Sequence, residues 1–148
     1  MSIYVREFKP QDAMEIKGGV LEPTIESHPK RAEWAQDHSS LGPAYTGIKD
    51  GKIIGCGGIM MLWEGVGEGW ANFSPEIQQC PKSLFYCMKK GLDILWDAYD
   101  IVRVQAMTRA DFPQANRLLE HLGFVQESRI RKFWWDQTDA FMYAKVRD

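Results

Sequence analysis

The alternation of apolar and polar positions marks out most of the chain. IYVREF (residues 3–8) alternates with period two and reads as a first strand. PQDAMEI follows, with Pro10 suited to a first helical position and Ala13 and Ile16 on one face. Residues 18–43 carry the weakest pattern, with Gly18-Gly19, three prolines and one short helix around KRAEWAQDH. AYTGIKDGKIIGCGGIMMLW reads as a hairpin, because Asp50-Gly51 supplies a tight turn between two apolar-rich strands. A second turn is expected over residues 65–69, with a fourth strand EGWANFS behind it. In KSLFYCMKKGLDILWDAY, Leu84, Met88, Leu92 and Leu95 recur at helical spacing and predict a long amphipathic helix. IVRVQAMT alternates again as a strand. ADFPQANRLLEHLGF predicts a helix opened near Asp111 and Pro113 and closed by Gly123, with Ala115, Leu118, Leu119 and Leu122 as its buried stripe. FVQESRI and DAFMYAKV are two final strands flanking a Trp-rich loop. The expected order is β-α-α-β-β-β-α-β-α-β-β.

Composition narrows the class. A chain of 148 residues with 45% hydrophobic and 12% aromatic positions predicts one domain, residues 1–148, with a real core. The net charge of −2 carries no electrostatic footprint for nucleic acid. Neither a signal-peptide h-region nor a membrane span is present in MSIYVREFKP, so no membrane partner is expected. Three cysteines, Cys56, Cys80 and Cys87, lack metal-ligand spacing, as do His28, His38 and His121. They read as reduced thiols of a cytoplasmic protein, with Cys56 in the core and no metal site.

One junction carries candidate chemistry. The fourth strand runs through Trp70 and Phe73 into Ser74-Pro75-Glu76, and a helix follows. Unpaired N–H groups and the helix dipole at such a junction attract an anion. Pro81 removes one donor, while the N–H groups of Gln79, Cys80, Lys82 and Ser83 remain as candidates. The Lys82 ammonium and the Ser83 hydroxyl add charge and a further donor. The alternative at the same place is a plain helix start.

The element order, VREFKPQDAMEI, GIKDGKIIGCGGI, SPEIQQCPKS and NRLLEHLGF together resemble the GCN5-related N-acetyltransferase superfamily over nearly the whole chain. The short loop without glycines is similar to phage and prophage members. The resemblance implies an α/β (α+β) fold, with a mixed, mostly antiparallel sheet of about seven strands and helices on both faces. It implies acetyl-CoA as cosubstrate, an amine-bearing small molecule or protein as acceptor, and allows a homodimer. Gln78 matches the family's Arg/Gln, while Pro81 and Ser83 replace its Gly and Gly/Ala. Residues 78–83 would then face the coenzyme pyrophosphate, and Phe73 and Ser74, ending a splayed strand, its pantetheine arm. Asn116 matches the helix asparagine that bonds this arm, though its carboxamide can equally be exposed helix surface. Glu68 stands on the fourth strand where relatives often carry a general base, with Glu64 close behind. Both carboxylates can equally be solvated turn residues. Leu119 occupies the position of the family's commonest acid, a tyrosine, which leaves solvent, Ser83 or Tyr143 to protonate the leaving thiolate. Trp134 and Trp135, after RIRKF, form either an acceptor wall or a solvated hairpin. Two functions stand: an N-acetyltransferase, or a binding or structural protein, of phage type for example, that keeps the fold without turnover.

Overall fold

The computed structural model describes residues 3–16 and 28–148. The part of the irregular 18–43 stretch that ends at residue 27 lies outside them. Among the described residues seven strands form one sheet in the order β1-β2-β3-β4-β5-β7-β6. They are β1 (Tyr4–Glu7), β2 (Ala44–Lys49), β3 (Lys52–Trp63), β4 (Val66–Phe73), β5 (Arg103–Arg109), β6 (Val125–Ile130) and β7 (Ala140–Val146). Four helices, α1 (Pro10–Glu15), α2 (Arg31–Ser40), α3 (Pro81–Ala98) and α4 (Pro113–His121), complete the expected order. Every strand pair is antiparallel except β4–β5, which is parallel because the long α3 crossover connects them.

Local chemistry explains the element ends. Asp50 and Gly51 both take positive φ (52° and 77°), the geometry that matches a two-residue hairpin turn to the strand twist. Pro81 and Pro113 occupy first-turn positions, where the missing N–H costs no hydrogen bond. Gly123, at φ 94°, ends α4 in a conformation that L side chains avoid.

The second hairpin turn differs from the expectation. It is confined to Glu64 and Gly65, and β4 already begins at Val66. Gly67 and Gly69 are strand residues: a Cβ on Gly67 would collide with Ile59 Cγ2, and one on Gly69 would lie 3.3 Å from Val104 Cγ1. These glycines permit close packing instead of a bend. Glu68 is therefore an inner strand residue flanked by Met60 and Gln105, not a residue at the strand start. Glu64 is exposed at the hairpin tip.

Helices cover both faces. On one, α1 and α2 bury Ala13, Ile16 and Ala35 with Phe8, Ala44 and Cys56. On the other, α3 and α4 pack Leu95 and Leu122 on Ile59, Val104 and Ala106. Asp12 ties α1 to the sheet although it is only 2% exposed. It accepts both Arg6 guanidinium nitrogens (2.8 and 2.9 Å), the Lys9 N–H (2.9 Å) and the Thr46 hydroxyl (2.7 Å). Burial pushes its carboxyl upward, but the bonds from Arg6, Lys9 and Thr46 outweigh this and hold it below the ordinary aspartate range.

Candidate active site

The parallel β4–β5 ladder is short. Its partners are Val66 with Arg103, Gly67 with Val104, and Glu68 with Gln105, and beyond this last pair the strands diverge. From Gly69 to Phe73, β4 stays paired to β3 only. Among the described residues, those N–H and C=O groups that point toward β5 consequently have no strand partner, and a polar ligand arm can satisfy them. A cavity of ≈ 280 Å³ occupies the opening. Its lining includes Ala71 and Phe73 of β4, Ala106 and Thr108 of β5, apolar side chains of α3 and α4, and residues of β1, β2 and β3.

Glu68 stands at the apex of this divergence. Side chains alternate along β4, so Glu68 shares a face with Trp70. Trp70 packs against Trp34 and Phe8 at centroid distances of 5.1 and 5.2 Å, which places Glu68 on the α1–α2 face. Gln105 Nε2 donates to Glu68 Oε1 at 3.4 Å. The orientation of that amide is settled by its other end, since Gln105 Oε1 accepts from Arg103 Nε and Nη2, both at 3.3 Å. Arg103 in turn grips Glu127 through two bonds of 3.0 and 2.7 Å. The hydrogen bond from Arg103 holds Glu127 below the usual carboxylate range, and Glu127 raises the Arg103 guanidinium. A polar chain thus runs from β6 through β5 to the apex carboxylate.

The expected anion cradle is narrower than the sequence suggests. Pro75–Gln79 forms a 3₁₀ turn, whose i→i+3 bonds consume N–H groups inside it. The Cys80 N–H donates to Ile77 O at 3.1 Å, and the Leu84 N–H to Cys80 O at 3.1 Å. Lys82 and Ser83 are left as the N–H groups of the first α3 turn without an intrahelical acceptor. Gln78, Gln79 and Lys82 present exposed side chains at the same end of α3. Phe73 is buried at the cavity wall. Ser74 is buried too, with both its N–H and its hydroxyl bonded to Ile54 O at 3.0 and 3.3 Å.

Asn116 is not helix surface. At 8% exposure, its Oδ1 accepts the Thr108 hydroxyl at 2.5 Å and its Nδ2 donates to Arg109 O at 3.4 Å, fastening α4 to the diverging end of β5. Leu119 lines the cavity as its place on the helix stripe implied. Tyr143 is only 2% exposed and packs in the core behind Ala106, Leu122 and Phe124, which line the cavity while Tyr143 itself does not. Burial, reinforced by Glu120, pushes its phenol upward, so it stays protonated at neutral pH.

Of the paired tryptophans, Trp134 is an anchor: it is buried, and its indole N–H donates to Thr108 O at 3.2 Å. Trp135 lies against His28, with centroids 4.6 Å apart, so the β6–β7 loop meets the chain just ahead of α2. His38 is buried, stacked on Trp34 at 4.1 Å, with Nδ1 2.8 Å from Trp34 O. Burial lowers its pKa, and it is a packing residue. Among the described residues no group of three or more His, Cys, Asp or Glu side chains could hold a metal ion, and no helix is long and apolar enough to cross a membrane. Gln105, Arg103 and Glu127 escaped the sequence reading. The alternation of IVRVQAMT puts Gln105 on the face opposite Val104, but nothing in that pattern says which carboxylate lies across from it.

No protein-family model matches the chain, and no curated protein does. Solved structures match it along nearly its full length. The ribosomal-protein-S5-alanine acetyltransferase of Vibrio fischeri is 20% identical, with a TM-score of 0.74 over 100% of this chain and 94% of that one. A GNAT-family acetyltransferase from Bacillus anthracis is 13% identical, with a TM-score of 0.72 over 99% and 95%. A spermidine N-acetyltransferase chimera of Vibrio cholerae SpeG and hSSAT is 14% identical, with a TM-score of 0.76 over 99% and 96%. The splayed parallel pair, the flanking helices and these matches agree: the chain has the fold of the GCN5-related N-acetyltransferases.

Proposed function

We propose that this protein is an N-acetyltransferase that moves an acetyl group from acetyl-CoA to a primary amine of a small molecule or protein. The observation that carries the reading is the end of the β4–β5 pairing at Glu68 and Gln105, which opens a cleft with a carboxylate at its apex. The residues present suit the cosubstrate. The unpaired edge of β4 can bond the pantetheine amides, the apolar cavity suits the arm itself, and the first turn of α3 offers the N–H groups of Lys82 and Ser83 with the Lys82 charge for the pyrophosphate. Acetyl-CoA, when bound, supplies an activated thioester carbonyl.

The two sides of the apex divide the work. The cavity lies under α3 and α4, and Glu68 is on the α1–α2 face, so donor and acceptor approach from opposite faces of the sheet. Glu68 accepts a proton from the acceptor's ammonium, directly or through a water, and leaves the nitrogen lone pair available for attack. Gln105 keeps the carboxylate in place by donating to Oε1. Water or the Ser83 hydroxyl provides the thiolate's proton, because Leu119 lines the cleft where a phenol would serve and Tyr143 is in the core. Two of the structural neighbours are named for a ribosomal-protein alanine and for spermidine, one acceptor of each class. Leu119 is also the observation that favours the second reading, a binding protein of this fold without turnover.

Thermal unfolding with and without acetyl-CoA, followed by transfer assays on an amine panel, tests both readings. Binding to the native state alone stabilises by about 2.7 kcal/mol at ~100-fold ligand excess over Kd. Glu68→Gln should keep that shift and lower transfer by roughly 10²–10⁴-fold. Absence of any shift removes the cosubstrate, and a shift without transfer by the unmutated protein selects the binding protein.

A further inference from the structure

The sheet register sets Glu68 in an apolar field. Across the ladder its partners are Met60 on β3 and Gln105 on β5, and along β4 it shares its face with Val66 and Trp70. One row nearer the β3–β4 hairpin, Val66 stands between Trp63 and Arg103. Residues opposite one another on paired strands lie on one face, so Trp63 is on the side of Glu68. The charge of Arg103 is matched by its two bonds to Glu127. None of these neighbours is acidic, and Glu64 belongs to the exposed turn beyond them.

The two directions along β4 from Glu68 differ. Toward Trp70 the face is roofed, because Trp70 packs under Trp34 and Phe8. Toward the hairpin it is open, and Trp63 is 67% exposed. A single exposed apolar side chain carries little meaning. This one adjoins Val66 and Met60, and two residues of strand rise set its row only about 7 Å from Glu68. Met60, Trp63 and Val66 do not line the cavity beneath α3 and α4, so a coenzyme arm in that cavity leaves this face to the acceptor.

We propose that the acceptor is a small primary amine with one charge on a flat apolar body, its nitrogen at Glu68 and its ring against Trp63, Val66 and Met60. This rests on the reading of the protein as an acetyltransferase with Glu68 as its base. A carboxylate in an apolar surround matches a single ammonium joined to an apolar group, whereas a polyamine needs acidic partners for each of its charges. An aryl ring on the indole gains both buried area and ring contact. The neutral amine attacks the thioester carbonyl, and the C–N bond forms as the C–S bond breaks. The nitrogen sheds one proton and the thiolate takes one up, yielding amide and free thiol.

Transfer rates of the full chain with acetyl-coenzyme A and 2-phenylethylamine, ethylamine or 1,4-diaminobutane test the inference. The kcat/KM for 2-phenylethylamine should exceed the other two by about tenfold or more, since its ring leaves water on binding. Trp63→Ala should erase that advantage through KM, with kcat and the ethylamine rate unchanged, and Trp63→Phe should keep most of it. Trp63→Glu adds a second carboxylate one row from Glu68 and should turn the preference toward 1,4-diaminobutane. Equal kcat/KM across the panel overturns the proposal, as does a preference for the diamine in the unmutated protein or an advantage that survives Trp63→Ala. If acetyl-coenzyme A binds but none of the three amines is modified, calorimetric titration of 2-phenylethylamine into the coenzyme A-saturated protein decides. Binding weakened about tenfold by Trp63→Ala supports the acceptor face, and absence of binding overturns it. If acetyl-coenzyme A itself fails to bind, the transferase reading has failed and takes the acceptor with it.

Discussion

Asn116 provides the sharpest test of how the cleft wall is held. Replacing it with alanine removes the acceptor of the Thr108 hydroxyl, which is buried at 7% exposure and has no other partner among the described residues. A buried donor left unsatisfied costs about 1–3 kcal/mol. The bond from Nδ2 to Arg109 O is long, at 3.4 Å, and that carbonyl keeps the Phe112 N–H at 3.1 Å, so its loss adds little. Alanine also favours the helix over asparagine by a few tenths of a kcal/mol, up to about 0.7. The expected net destabilisation is therefore about 1–2.5 kcal/mol, or a fall in Tm of roughly 3–8 °C for a chain of this size. Urea unfolding of Asn116→Ala, Thr108→Val and the double variant measures the coupling. Removing both partners leaves neither orphaned, so the double variant should be more stable than the sum of the single losses by about 1 kcal/mol. If the losses add within ~0.3 kcal/mol, the hydrogen bond does not fasten α4 to β5 and the argument fails. Coenzyme affinity measured on the same variants separates the two roles. A direct contact predicts weaker binding in Asn116→Ala but not in Thr108→Val, whereas loosening of the wall predicts weaker binding in both.

Lys82→Glu should weaken coenzyme A binding by placing a negative charge at the first turn of α3, and the loss should shrink as salt rises because the side chain is exposed. An unchanged Kd at low salt would move the pyrophosphate elsewhere. Asp12 makes the fold acid-sensitive. Its carboxyl is held below the ordinary value in the folded state, so its stabilisation is present above the unfolded aspartate pKa of about 3.9 and is lost as pH falls through the folded value. Urea midpoints of the unmutated protein should decline below about pH 4 more steeply than those of Asp12→Asn; parallel pH profiles would refute the assignment.

Much of the architecture was readable one segment at a time. Period-two alternation, the Asp50-Gly51 turn, Pro10, Pro113 and Gly123 act through their own backbone chemistry, and the elements they mark appear where expected. The prediction slipped at residues 65–69, where glycines looked like a turn. A glycine demanded by a neighbouring side chain and one demanded by a turn look identical until Ile59 and Val104 are seen pressing on Gly67 and Gly69. The cradle slipped for a related reason. Whether the Cys80 N–H is available depends on the 3₁₀ turn preceding it, a local hydrogen-bond choice that composition does not reveal.

The sequence by itself determined the order and kind of the elements and the apolar stripes of α3 and α4. These follow from contacts within a few residues or from the two periodicities of the backbone. Only the tertiary structure decided that pairing stops at Glu68, that Gln105 turns its amide toward that carboxylate because Arg103 holds the other end, and that Asn116 is spent on Thr108 and Arg109. It also decided that the apolar stripes of α3 and α4 line a cavity beside the splayed strands. Each of these depends on residues far apart in the chain meeting at one distance and one angle. No periodicity along the sequence encodes such a meeting; the packing of α3 and α4 on a splayed sheet does.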